Sequence, residues 1–308
     1  MLSKNSRILA VTALAPLAWG TTYFVATEFL PDGRPLLNAV LRALPAGLLL
    51  LAVVRRLPQG AWWWKAGVLG FLNIGAFFAF LFIAADLLPG GLAATVGAVQ
   101  PLLVALLASR ILGEHLGIAT VLAGIAGMVG VGLLVLQSQA RLDPAGVLAA
   151  LAGAASMALG IVLSKRWGQP ASPLAVTSWQ LIAGGVLLLP VLLAVEGLPD
   201  ENFTPGNIAG FTYLSLVGTA LAYTVWYRGI QALPAASTSF LSLLSPVVAV
   251  VVGWLLLGQS LSSGQILGAG IVLAALAVVL KQGTTRRARV TGRNDASRTD
   301  ELSPVPGR

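Results

Sequence analysis

Arg42, Glu28 and Asp86 are charged groups set in or at the mouth of long apolar runs, where a charge is costly. Arg42 lies about seven residues into the run 35–54, roughly 10 Å along a helix rising 1.5 Å per residue. Moving such a group toward the centre of a bilayer costs about 2.5–3.5 kcal/mol on insertion scales, so intramembrane charges mark function or pairing. Glu28 and Asp86 close the first and third runs on the same side. An ion pair between Arg42 and either carboxylate would lower the burial cost and form an outer gate. A static packing pair or a snorkelling side chain accounts for the same residues without gating.

A second group is polar-tipped or aromatic. It comprises Trp19, Thr22, Tyr23 and Asn73 in the first half of the chain, and Trp179, Gln180, Tyr223 and Trp226 in the second. Planar molecules stack on such rings and find hydrogen bonds at their edges, so these residues are candidates for a substrate pathway. Trp and Tyr near helix ends also serve as interfacial anchors, which is the reading for Trp62-Trp63-Trp64 beside Lys65. Gln100-Pro101 and Ser245-Pro246 form a matched pair. Each proline removes an amide donor and kinks its helix, freeing a carbonyl that the neighbouring Gln or Ser would satisfy or that would face substrate.

The roster excludes other chemistry. The chain has no cysteine and one histidine, so thiol catalysis, disulfides and a histidine metal cluster are all out. No Ser/His/Asp set or carboxylate pair falls within the apolar runs, which disfavours an intramembrane enzyme. No metal and no cofactor is expected.

The elements that position these residues follow from composition. Of 308 residues, 57% are hydrophobic and only 10% charged. Soluble domains carry roughly a quarter charged residues. Apolar runs lie near 8–29, 35–54, 66–87, 91–111, 116–136, 146–164, 174–195, 207–227, 235–257 and 264–280, each near the roughly 20 residues that span a bilayer. The expected fold is an all-α integral membrane protein with about ten transmembrane helices.

The net charge of +8 does not indicate a nucleic-acid partner, because the basic residues sit between runs. Lys4, Arg7, Arg55, Arg56, Lys65, Arg110, Lys165, Arg166 and Arg228 fall on one side together with the tail. Arg34 and Arg141 fall on the other. This positive-inside pattern predicts a plasma-membrane protein with both termini cytoplasmic. The tail 281–308 reads as polar and disordered. Its cluster Arg286, Arg287 and Arg289 either fixes topology or attracts anionic headgroups of the lipid bilayer.

The run that opens Leu88-Pro89-Gly90 and closes Leu112-Gly113-Glu114 returns as Leu233-Pro234-Ala235 to Leu257-Gly258-Gln259. Pro89 and Pro234, Pro101 and Pro246, and Gly113 and Gly258 all keep one spacing, 145 positions. The chain is therefore a duplication: an N-terminal tail (1–7), a first repeat (8–136), an external loop (137–145), a second repeat (146–280) and the cytoplasmic tail. Five spans per repeat would invert the second relative to the first, the plan of many transporters. Ala152, Ser156 and Gly160, at four-residue spacing, predict close helix packing. Glu114, placed before the fifth helix, is expected to cap that helix.

With these residues in hand a family likeness emerges. Trp19-Gly20-Thr21, Arg42, the Pro101 helix ending Leu112-Gly113-Glu114, and its Pro246 echo ending Leu257-Gly258-Gln259 resemble the drug/metabolite transporter superfamily. Within it the EamA-type branch, with ten helices in two five-helix repeats, is the best match. A narrower likeness rests on Ala13 to Tyr23, Thr27 to Pro31, Leu41 to Gly47 and Leu72 to Gly75, which look like the blue-pigment (indigoidine) exporter group. The departure is Gln259, where the first repeat has Glu114.

The resemblance implies export of a small, largely apolar or planar metabolite by alternating access. The alternatives are export or facilitation of an amino acid or amine, with an intramembrane enzyme or membrane scaffold behind them. The sequence fixes neither the substrate nor the oligomeric state. Every acidic residue stands at or beyond a span end, which predicts a facilitator, or coupling confined to Glu28, Asp86 and Glu114.

Overall fold

The computed structural model describes residues 4–31, 33–88, 92–135, 143–199 and 202–281. Residues 136–142, which hold most of the expected loop between the repeats, the tail beyond Lys281 and the side chains of Tyr23 and Asp86 lie outside the described residues.

Ten helices among the described residues are long and apolar enough to cross a membrane. They are α1 (Asn5–Phe29), α2 (Pro35–Val54), α3 (Trp62–Leu81), α4 (Ala93–Ile111), α5 (Ile118–Val135), α6 (Pro144–Trp167), α7 (Pro173–Val195), α8 (Pro205–Ala232), α9 (Ala235–Leu257) and α10 (Ser263–Lys281). The protein is an all-helical, multi-pass membrane protein.

Local chemistry sets the ends. α2, α6, α7 and α8 each begin on a proline, whose missing amide hydrogen costs nothing in a first turn. Side chains of Asp143, Ser172 and Thr204 accept bonds from Gly146, Ala175 and Asn207 amides, capping α6, α7 and α8. Asn207 answers Thr204 with the reciprocal bond of a capping box. These caps start α8 at Pro205 rather than 207, and α3 takes in the Trp62-Trp63-Trp64 turn that the apolar count left outside. α4 and α9 stop at left-handed glycines, Gly113 (φ 67°) and Gly258 (φ 63°), which a residue with a Cβ adopts only under strain. After each one, the next amide (Glu114, Gln259) bonds back to the carbonyl six residues earlier.

The two helices that carry the repeated prolines, Pro101 and Pro246, are interrupted about one turn before them. α4 breaks at Ala98 and Val99 and resumes at Gln100, and α9 passes through a 3₁₀ turn at Leu241–Leu243. A second irregularity appears twice. α3 widens into a π-helical turn at Phe71–Gly75 and α8 into another at Leu216–Leu221. Their starts are 145 positions apart, the spacing of the proline repeat.

The halves interlock reciprocally. α1 packs on α8 and α9, while α6 packs on α3 and α4. α2 lies along α7 at the centre, and α5 meets α10 at the periphery. Small residues permit these approaches. A Cβ on Gly184 of α7 would fall 2.7 Å from the Gly70 carbonyl oxygen of α3, and one on Gly268 of α10 only 2.6 Å from that of Gly130 on α5. With lipid as apolar as leucine, such close packing replaces the hydrophobic drive between helices. Trp226, Tyr227, Phe240, Ile161 and Leu181 fill the core where the halves meet.

A candidate substrate pathway at two π-helical turns

The π turn in α8 widens the hydrogen-bond spacing and leaves backbone carbonyls for outside donors. Gly218 O takes two: Trp19 Nε1 of α1 at 3.0 Å and Arg42 Nη2 of α2 at 3.2 Å. Arg42 Nε also donates to Thr219 Oγ1 at 3.2 Å, and its guanidinium lies 5.3 Å from the centre of the Phe78 ring. A cation in the span is therefore met by a carbonyl, a hydroxyl and a ring face. Thr22 Oγ1, buried near Gly218, has no hydrogen-bond partner, while the neighbouring Thr21 hydroxyl pairs with Tyr213 Oη at 2.7 Å.

Trp19 ties this site to an aromatic core. Its ring lies 5.2 Å from Tyr223 and 5.1 Å from Trp226, and Tyr223 is 5.9 Å from Tyr227. Trp226 Nε1 and Tyr227 Oη are buried without partners.

The π turn in α3 carries Asn73, which is fully buried. Its Nδ2 donates to Gln180 Oε1 of α7 at 2.9 Å and to Ser164 Oγ of α6 at 3.4 Å. Asn73 Oδ1 and Gln180 Nε2 have no partner. Gly160 makes room for this pair, since a Cβ there would meet Asn73 Oδ1 at 2.1 Å. Ser156, one turn earlier on α6, donates to Leu72 O at 2.9 Å. An unmet buried amide group costs about 1–3 kcal/mol, so these atoms are poised for an exchange of partners.

The sequence-derived candidates thus sort into groups. Trp19, Thr22, Arg42, Tyr223 and Trp226 converge at the α8 turn, and Asn73 with Gln180 at the α3 turn. Trp179 does not join them. It is one residue, about 100° of helix, away from Gln180; its Nε1 donates to Arg56 O at 2.7 Å and its ring lies 6.3 Å from Trp62, so it anchors the α2–α3 connection. Gln100 and Ser245 are half-buried beside Pro101 and Pro246, and the Ser245 carbonyl lies against Gly20 of α1.

Two expectations are corrected. Glu28 is exposed and forms no ion pair with Arg42, which donates to the α8 turn, while the side chain of Asp86, the other partner expected for Arg42, lies outside the described residues. Glu114 does not cap the fifth helix. Gly113 swings the chain sideways, and the carboxylate instead accepts the Ala235 (2.9 Å) and Ala236 (3.4 Å) amides at the start of α9. Glu196 does the same for α2. It accepts the Leu36 and Leu37 amides at 2.6 and 3.0 Å, with Arg34 Nε 3.7 Å away. Gly218, Thr219, Ser164 and Glu196 escaped the sequence reading. The signal that pointed to the first two was the repeat spacing, which carries Asn73 onto Gly218.

Comparison with known proteins agrees with this architecture. The model of the EamA-like transporter family matches twice, over residues 6–136 and 144–281. Protein PecM of Dickeya dadantii is 46% identical over 267 residues, covering 86% of this chain and 89% of its own. The uncharacterized inner membrane transporter YedA of Escherichia coli is 33% identical over 277 residues, covering 85% and 87%. A solved crystal structure superposes with a TM-score of 0.79 at 20% identity, covering 91% of this chain and 98% of the other, a likeness of fold.

Proposed function

The chain belongs to the EamA-like transporter family, and from that premise we propose that it exports a small, planar or largely apolar metabolite across the inner (plasma) membrane by alternating access. The observation that carries the reading is the pair of π turns. Each places polar groups at the junction of the two halves, within the span, and the one in α8 lies beside the tilted and edge-on rings of Trp19, Tyr223 and Trp226, whose faces suit a planar solute. The double match to the family model supports a duplicated unit, and five spans in each copy give the inverted arrangement that alternating access needs.

The excess of Lys and Arg on the side of α4 and α6 ends puts that face, with both termini, in the cytoplasm. Asn73 and Gln180 then lie toward the cytoplasm and Arg42 toward the exterior. The motif likeness to the blue-pigment (indigoidine) exporter group, together with 46% identity to PecM, makes a planar pigment the first substrate to test. Amino acids and amines are the comparison set.

The test is flux in proteoliposomes, with and without an imposed pH gradient. The reading expects planar solutes to cross unchanged and concentrations only to equalise. Chemical alteration of the solute, or no flux of any planar candidate, would overturn it. Uphill accumulation that survives joint neutralisation of Glu28, Asp86 and Glu114 would overturn the facilitator component.

A further inference from the structure

Glu114 is the centre of a knot that ties four spans at one face. It stands just past α4 and accepts the Ala235 and Ala236 amides of α9. Lys165, near the end of α6, lies with Nζ 3.2 Å from Glu114 Oε1 and also donates to Leu233 O, at the end of α8. The charged partners are mostly shielded, with side-chain exposures of 20% for Lys165 and 19% for Glu114. Charge-assisted bonds of this kind are about twice as strong as neutral ones. Separating α4 from α9, or α6 from α8, breaks several of them together.

The duplication predicts the same knot at the opposite face, built on Gln259 at the end of α9. It is not there. Gln259 is exposed and its side chain folds back against Gly253 of its own helix. The position of α1 that matches Lys165 is Val25, as Gly20 matches Gly160. Glu196 does sit at that opposite face, but the bonds it makes join α2 and α7, which already pack along their length.

We propose that Glu114 is the latch of the cytoplasmic gate, and that the lack of a counterpart at Gln259 biases the resting transporter toward the state closed on the cytoplasmic side. This rests on the alternating-access reading. A ligand or substitution that weakens one face shifts the populations by its differential effect on the two states.

The chain has no cysteine, so single probes report without background. Thr22→Cys on α1 samples the outer half and Ser164→Cys on α6 the inner half. Each is labelled in oriented membrane vesicles with an impermeant maleimide from its own side. Glu114→Gln is expected to raise the Ser164→Cys rate about tenfold and to lower the Thr22→Cys rate. Lys165→Met, which leaves the carboxylate cap on α9, makes the same comparison if Glu114→Gln does not reach the membrane, with a smaller shift in the same direction. Unchanged Ser164→Cys labelling in folded protein overturns the latch. A rise at both probes overturns it as well, because that is general loosening rather than a shift between faces. The readout needs no substrate, so a failed flux assay and a failed latch remain distinct.

Discussion

At Leu216–Leu221 the π turn offers its Gly218 carbonyl to Arg42 and Trp19, whereas at Phe71–Gly75 the equivalent turn offers the Asn73 side chain to Gln180 and Ser164. The backbone device is the same, but its clients differ in charge. A guanidinium has five donors in a planar fork and needs several acceptors at once, which a bare glycine carbonyl and a threonine hydroxyl provide without filling space. A neutral amide pair is held by one short bond and leaves Asn73 Oδ1 and Gln180 Nε2 unmet. The first site is therefore suited to holding a charge in place, and the second to trading partners.

Breaking the charged site has the largest expected effect. Arg42→Ala lowers flux of an identified substrate by at least about tenfold, equivalent to about 1.4 kcal/mol, while Arg34→Ala at the span mouth stays within about twofold. Equal small effects from both would erase the contrast between a buried and a peripheral cation. Crowding provides the next comparison. Gly184→Ala at the α3 turn drives a Cβ to 2.4 Å from Ile74 Cβ and should cost about 1–3 kcal/mol in detergent unfolding. Gly218→Ala has nothing nearer than Leu214 Cδ2 at 3.6 Å and is expected to lose less than about 1 kcal/mol. A reversed order would show that the α8 turn is the tighter one.

The amide pair is sharpened by a double-mutant cycle on unfolding. Asn73→Leu and Gln180→Leu should each destabilise, and the double variant by less than their sum, with a coupling of about 0.5–3 kcal/mol. Strict additivity would dissolve the pair. Trp19→Phe keeps the ring contacts and loses one bond to Gly218, about 1 kcal/mol by the same measurement.

The ten spans were legible because length and apolarity suffice to mark a helix in lipid, and the repeat was legible because Pro101 and Pro246, like Gly113 and Gly258, leave types that few other positions require. The π turns were not. Phe-Leu-Asn-Ile-Gly and Leu-Val-Gly-Thr-Ala-Leu suit an ordinary helix equally well, and only the packing of α2 and α7 against them selects the wider turn. The Gly218 acceptor of Arg42 and the amides held by Glu114 and Glu196 were also hidden, since each of these bonds joins positions more than 100 apart in the chain. Charge pattern indicated that these groups need partners but not which ones, so Glu28 was offered to Arg42 and the nearest helix was assigned to Glu114. Trp179 and Gln180 show the same limit at finer grain: adjacent in sequence, they point to an anchor and to the pathway respectively.

The bond from Arg42 to Gly218 spans 176 positions, and it dictates an order of events during synthesis. At about 5–20 residues per second, α2 enters the membrane roughly 10–35 s before its acceptor exists. Through that interval the guanidinium lacks the α8 carbonyl and hydroxyl, and the Phe78 ring of α3, only 36 positions on, is available to it earlier. α1 waits as well, because its packing partners α8 and α9 are among the last helices made. The contacts of α2 with α7, and of α3 and α4 with α6, need no α8, so the arrival of α8 is the step that joins α1 to a bundle already begun.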